Sequence, residues 1–219
     1  MKILAVEFSS AHRSVAVVDH AGGTARLLGR AIESDRRSTG ALGLVERALN
    51  DAGLEREQID CVAVGLGPGS YAGIRSAIAL AQGWQLAREA RLRGVSSAEC
   101  LAAQAQAQGW FGRVNVVIDA QRNELYLAGY EISAASRKEV EPLRLASTGE
   151  AEARVRAGQL ILGPEVNRWF PSGKVIFPEA AMLGQLAGAR EDFVSGEKLE
   201  PIYLRETNFV KAPPAREIL

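Results

Sequence analysis

Apolar and polar positions fall into blocks along this chain, and the blocks predict two halves built alike. Residues 2–8 (KILAVEF), 13–19 (RSVAVVD) and 24–32 (TARLLGRAI) are short runs rich in aliphatic and β-branched side chains, the pattern of strands. Polar or glycine-containing links join them, with DHAGG at 19–23 the strongest turn, so the three predict antiparallel neighbours. Leu42, Val45 and Leu49 then recur at helical spacing, between a cap at Ser38 or Thr39 and a stop at Gly53. A buried strand is predicted over 59–67 (IDCVAVGLG) and a helix from about Tyr71 to Ala90. RGVSS at 93–97 then gives a short strand and the cap of a helix through about Gln108.

After Gly109 the pattern restarts. Strands are predicted at 113–120 and 123–132, around a turn at Gln121 and Arg122, and at 138–147. A helix from Thr148, a strand at 159–163, a turn or short helix around Asn167, a strand at 174–177 and a helix from Pro178 to Arg190 follow. No repeat of sequence accompanies this echo of architecture. The expected division is a first lobe over 1–108 and a second, smaller lobe over 109–219, with mixed sheets and flanking helices in an α/β fold. Residues 198–219 carry three prolines and read as an extended arm.

Composition narrows the function. A chain of 219 residues suits two small lobes, and 26 Lys and Arg against 26 Asp and Glu leave no basic footprint for nucleic acid. ILAV after Lys2 is too short for a signal-peptide core, and no apolar run approaches the roughly 20 residues of a membrane span, so a cytoplasmic protein is expected. Cys61 and Cys100 stand apart, without a CxxC spacing, which points to neither a disulfide framework nor a redox motif.

The candidate chemistry centres on AVGLGPGSYAGIRSA, residues 63–77. A Walker loop needs GK[ST], and here Gly69 is followed by Ser70 and Tyr71. Gly67, Gly69 and Ala72 satisfy G-x-G-x-x-A, but the next strand ends in Val95, Ser96 and Ser97 without the acidic residue that would hold a ribose. Two readings stay open: a helix N-terminus that binds an anion, or a sharp turn with Ser70 as cap.

Two lobes that each open with three strands suggest the architecture of actin, chaperone ATPases and sugar kinases, with ATP in the cleft. The acidic candidates at first-strand ends are Glu7, with Ser9 and Ser10, and Asp119, with Ala120 and Gln121. Side chains at 120 and 121, and Pro164 after Gly163, stand where close phosphate or adenosine approach wants glycine. His12 and His20 are eight apart, too far to chelate a metal from one helix face, and no G-x-S-x-G elbow occurs. Arg75, one turn into the helix, could hold a phosphate or a partner's carboxylate, or bridge surface charges. Small residues at Gly40, Ala41, Gly43, Gly73, Ala77 and Ala81 would let helices approach closely.

ILAVEFSS, VAVGLGPGSYAGIRSAIALAQGWQLA, GVSSAECLA and VIDAQRNELYLAGY, in this order, resemble the TsaB family, also called YeaZ, over about residues 1–131. The rest of the chain matches loosely, through strand order and PIYLR. The family usually has Asp and Thr at the positions of Glu7 and Phe8, and Thr at Ala72. The resemblance implies an actin-like fold and an accessory subunit in making threonylcarbamoyladenosine at position 37 of tRNA. It also implies that a TsaD homologue performs the transfer as heterodimer partner and that a TsaE-type ATPase joins them. A homodimer is a further expected state, tRNA is met only through the complex, and no membrane is involved. No catalytic residue, cofactor or metal is expected in this chain. The expected partner interface is Leu42, Val45, Leu49, Tyr71, Ile74, Arg75 and Ile78. A residual nucleotide or anion site is expected at Glu7, Ser9, Gly67, Gly69, Ser70 and Asp119. The alternatives are a stand-alone ATP-dependent phosphotransferase of the same fold and a metallopeptidase-family homologue.

Overall fold

A computed structural model describes residues 1–34 and 40–205. Strands β1 (Lys2–Glu7), β2 (Arg13–Ala21) and β3 (Thr24–Glu33) form an antiparallel meander. Helix α1 (Ala41–Ala52) leads to β4 (Cys61–Gly65), α2 (Tyr71–Arg88), β5 (Arg91–Val95) and α3 (Ser97–Ala107). Strands β6 (Gly112–Asp119), β7 (Glu124–Ile132) and β8 (Arg137–Ser147) make a second meander. They are followed by α4 (Thr148–Arg156), β9 (Leu160–Gly163), β10 (Lys174–Val175) and α5 (Ala180–Gly188). The first sheet runs β3-β2-β1-β4-β5 and the second β10-β9-β6-β7-β8, the same order with the same sense. In each, the opening strand pairs antiparallel with its hairpin partner and parallel with the strand that follows the first helix.

Several boundaries differ from the sequence reading. The cap at Ser38 or Thr39 lies outside the described residues, and Gly40 is the residue before α1. The strand predicted at 174–177 pairs only over Lys174–Val175. Phe177 instead turns its ring onto His12, centroids 5.2 Å apart, and its carbonyl accepts Gln104 Nε2. The helix predicted from Pro178 to Arg190 is confined to Ala180–Gly188. The arm is tied down as far as Arg205: Val194 N–H donates to Leu92 O (3.0 Å), and Ile202 N–H to Leu66 O (2.8 Å).

Chain order places α3 in the first lobe and α5 in the second, whereas packing exchanges them. Ala98, Leu101, Ala102 and Ala105 of α3 join the core formed by Val114, Val116, Tyr126 and Tyr130 of the second sheet. Ala180, Leu183 and Ala187 of α5 cover Ile3, Ala5, Ala16 and Ala63 of the first sheet. The opposite face of the first sheet is covered by α1 and α2. On β1 and β4 both faces are therefore buried, which explains their nearly continuous apolar runs.

Candidate functional site

Two surfaces offer themselves. The first is a cleft of about 550 Å³ at the ends of β1, β6 and β9, bounded by the start of α2 and the C-terminal arm. Of the six residues expected at a nucleotide or anion site, Ser9, Gly69, Ser70 and Asp119 line it, whereas Glu7 and Gly67 do not. Glu7 is completely buried behind the cleft wall. Ser9 N–H donates to its Oε1 at 2.7 Å, and Ser97 Oγ lies 2.8 Å from Oε2.

The glycine-rich loop packs against this same turn of backbone. A methyl group on Gly69 would overlap Ser9 O, one on Gly73 would overlap Phe8 O, and one on Gly65 would overlap the Glu7 carboxyl. Gly69 also has φ +147°, a conformation that L side chains rarely adopt. Ser70 caps α2, its Oγ accepting Gly73 N–H at 3.3 Å, while its own N–H donates to Ser9 O at 2.7 Å. Two amides that a phosphate would need are thus already committed. The second acidic end fares no better. Asp119 accepts Gln121 N–H (2.7 Å), Gln121 Nε2 (3.0 Å) and Arg168 Nη1 (3.3 Å), and Gln121, Arg122 and Asn123 occupy three successive left-handed positions. From the arm, Arg205 donates to Ala120 O (2.9 Å), Gln121 O (3.3 Å) and Glu124 Oε2 (2.7 Å). Tyr203 brings its ring 6.1 Å from that of Tyr71. These residues do not fit a nucleotide held on open, glycine-lined phosphate turns.

The second surface is a groove of about 530 Å³ between α1 and α2. Its floor and walls are Ala41, Leu42, Ala79, Leu80, Gly83, Trp84 and Ala87, with Arg56, Glu57 and Arg88 at the rim. Leu42 is 60% exposed, and Leu86, one turn beyond Gly83, is 87% exposed. Four residues expected at the interface lie elsewhere: Val45, Leu49, Ile74 and Ile78 are at most 6% exposed and form part of the first lobe's own core. Of the expected seven, Leu42, Tyr71 and Arg75 are exposed, with the Arg75 guanidinium over the Tyr71 ring. The apolar residues chosen from periodicity belong to the stripe that faces the sheet. Ala79, Gly83 and Ala87, four apart, were the legible signal of the outer stripe. Of the small residues, Ala77 and Ala81 are buried and Gly73 meets Phe8.

The two histidines are apart, His12 stacked on Phe177 and His20 packed against Gly188. Among the described residues no three His, Cys, Asp or Glu side chains gather as a metal site. No helix of the described residues is long and apolar enough to cross a membrane.

Fold and cleft together define a two-lobe protein of the actin-like class whose glycine-rich turn is filled by its own backbone. The profile of the family described as "TsaD: tRNA N6-adenosine threonylcarbamoyltransferase" matches residues 32–207. The chain is 30% identical to the tRNA threonylcarbamoyladenosine biosynthesis protein TsaB of Escherichia coli, over 80% of this chain and 84% of that one. It is 25% identical to the protein of the same name from Haemophilus influenzae, over 80% and 83%. The solved structure of YeaZ from Pseudomonas aeruginosa superposes with a TM-score of 0.75 at 26% identity, covering 93% of this chain and 99% of that one. The chain belongs to the TsaB (YeaZ) family, within that broader threonylcarbamoyltransferase family.

Proposed function

We propose that this chain is a non-catalytic accessory subunit in forming threonylcarbamoyladenosine on tRNA, docking through the α1–α2 groove onto a TsaD-family subunit that carries the transfer chemistry. The groove is the observation that carries this reading: an exposed apolar trough floored by small residues, which lets a partner helix approach the backbone of α2. Leu42 is the large apolar side chain of this lining that stands exposed, and covering it is worth about 1.5–3 kcal/mol. Against an association cost of roughly 4–15 kcal/mol that is modest, so affinity here depends on how closely a partner helix fits the small-residue floor, which favours a well-matched heteromer over a homodimer. A TsaE-type ATPase completes the assembly, tRNA is met through it, and the setting is cytoplasmic. The lobe division near residue 108 belongs to the same reading, each sheet being one lobe's framework.

Leu42→Glu and Gly83→Leu test the groove, with thermal midpoint and association with the TsaD-family subunit measured for each. Both variants keep a near-native midpoint and lose the partner, and with it tRNA modification in a reconstituted system. Normal association by both overturns the docking site. Steady ATP turnover by the purified chain, abolished in Asp119→Ala, overturns the non-catalytic assignment.

A further inference from the structure

Among the described residues Glu7 has no counter-ion. A carboxyl so deeply buried is ordinarily paired, yet no Lys, Arg or His among the described residues bridges it. Its surroundings can be taken element by element. From β2, Arg13 lies over the Phe8 ring and pairs with Glu33. From α3, Cys100 is the titratable group that faces it, and burial holds the thiol well above its usual range. From the start of α5, Glu179 touches Cys100 through its carbonyl. The end of β4 offers Gly65, and the start of α2 no charged group. Even the first turn of α3 gives only the Ser97 hydroxyl, because Ser97 N–H is taken by Gly67 O at 2.8 Å. Burial lifts the Glu7 carboxyl above its ordinary range, against the donations from Ser9 and Ser97.

A neutral carboxyl suits this pocket without rearrangement. Oε1 accepts Ser9 N–H, and a proton on Oε2 is donated to Ser97 Oγ, for which the 2.8 Å separation serves in either direction. The tie also has a lever. It fixes the turn at Phe8 and Ser9, whose carbonyls contact Gly73 and accept Ser70 N–H, and so it sets where α2 begins.

We propose that Glu7 is the positioning residue for the first turn of α2: as a neutral carboxyl it ties Ser9 to Ser97, and its ionisation loosens that turn and weakens docking on α2. The last clause rests on the docking reading above. Glu7→Gln reproduces the neutral form, with an oxygen for Ser9 N–H and an amide N–H for Ser97 Oγ. Glu7→Asp keeps a titratable carboxyl but is one methylene too short to span the two. Ser97→Ala removes the far end of the tie.

The experiment measures amide-exchange protection of residues 69–75 in the full chain and these three variants between about pH 5 and 8, with affinity for the TsaD-family subunit alongside. Wild-type protection falls by about tenfold per pH unit until the buried carboxyl has ionised, Glu7→Gln stays level, and Glu7→Asp is low throughout. Ser97→Ala, if Glu7→Gln folds poorly, loses protection already at the acidic end. Identical profiles for wild type and Glu7→Gln overturn the proposal, as does wild-type behaviour of Glu7→Asp. Protection that changes as stated while affinity stays constant upholds the positioning of α2 and overturns docking on it.

Discussion

Gly73→Ala and Gly83→Ala place the same methyl group on the same helix and should have opposite effects. In an exposed helix interior, alanine is favoured over glycine by about 0.8–1 kcal/mol. Gly83 is such a site, with nothing within 4 Å of the added carbon. At Gly73 the added carbon overlaps Phe8 O and sits 3.2 Å from Ser70 Oγ, the atom that accepts Gly73 N–H to cap the helix. The obstacle is backbone at the end of a central, fully buried strand, which cannot swing aside as a flexible side chain would. Overpacking of this kind costs about 1–3 kcal/mol, and a strained cap adds about 1 kcal/mol. The gain in propensity leaves a net loss of about 1–3 kcal/mol. For a domain of this size each kcal/mol moves the midpoint by roughly 2–4 °C, so Gly73→Ala should melt about 2–12 °C below wild type and Gly83→Ala slightly above it. Differential scanning calorimetry on both variants at one pH decides the matter. Equal midpoints would refute the view that the glycines of this loop serve backbone packing.

Ile74→Glu places a charge in the first lobe's core and should lose several kcal/mol, seen as unfolding at ordinary temperature, while Leu42→Glu melts normally. Glu141 accepts hydrogen bonds from Arg154 and Arg144, and these hold its carboxyl below the usual range. A depressed value stabilises the fold above the ordinary carboxylate range and loses that contribution as pH falls through the folded value. Glu141→Gln should therefore cost about 1–2 kcal/mol at pH 7 in urea titrations, with the gap from wild type closing at acidic pH. Arg205→Ala removes three hydrogen bonds that fasten the arm to the β6–β7 turn, and tryptic cleavage at Lys198 should quicken with no change in the far-ultraviolet spectrum.

Most elements were legible because strands buried on both faces and helices with spaced aliphatic residues announce themselves in one dimension. The inner and outer stripes of α1 and α2 were not separated, since Val45 and Ile74 satisfy the same periodicity whether a helix faces its own sheet or a partner. The glycine-rich loop was read through motifs that hold phosphate. What those glycines meet is the backbone of residues 8 and 9, some sixty positions away, and no local pattern reports such a contact. Glu7 resembled the acidic strand end of a nucleotide site because a residue type says nothing about which side of a loop its side chain enters. Tyr203 and Arg205 were passed over within a segment read only as an arm.

The exchange of α3 and α5 bears on how the chain is made. As it leaves the ribosome, β1, β2 and β4 are complete by residue 65, yet the helix that covers Ile3, Ala5 and Ala63 arrives only with residues 180–188. For most of synthesis one face of the first sheet lacks its lid, although α1 and α2 can cover the other face once residue 92 is made. A fragment ending near residue 108 would carry α3 without the sheet it packs on and β1 without its cover, so truncation there should yield aggregation rather than a smaller folded protein. A gene for this protein could not be split at its apparent midpoint unless both pieces met at once.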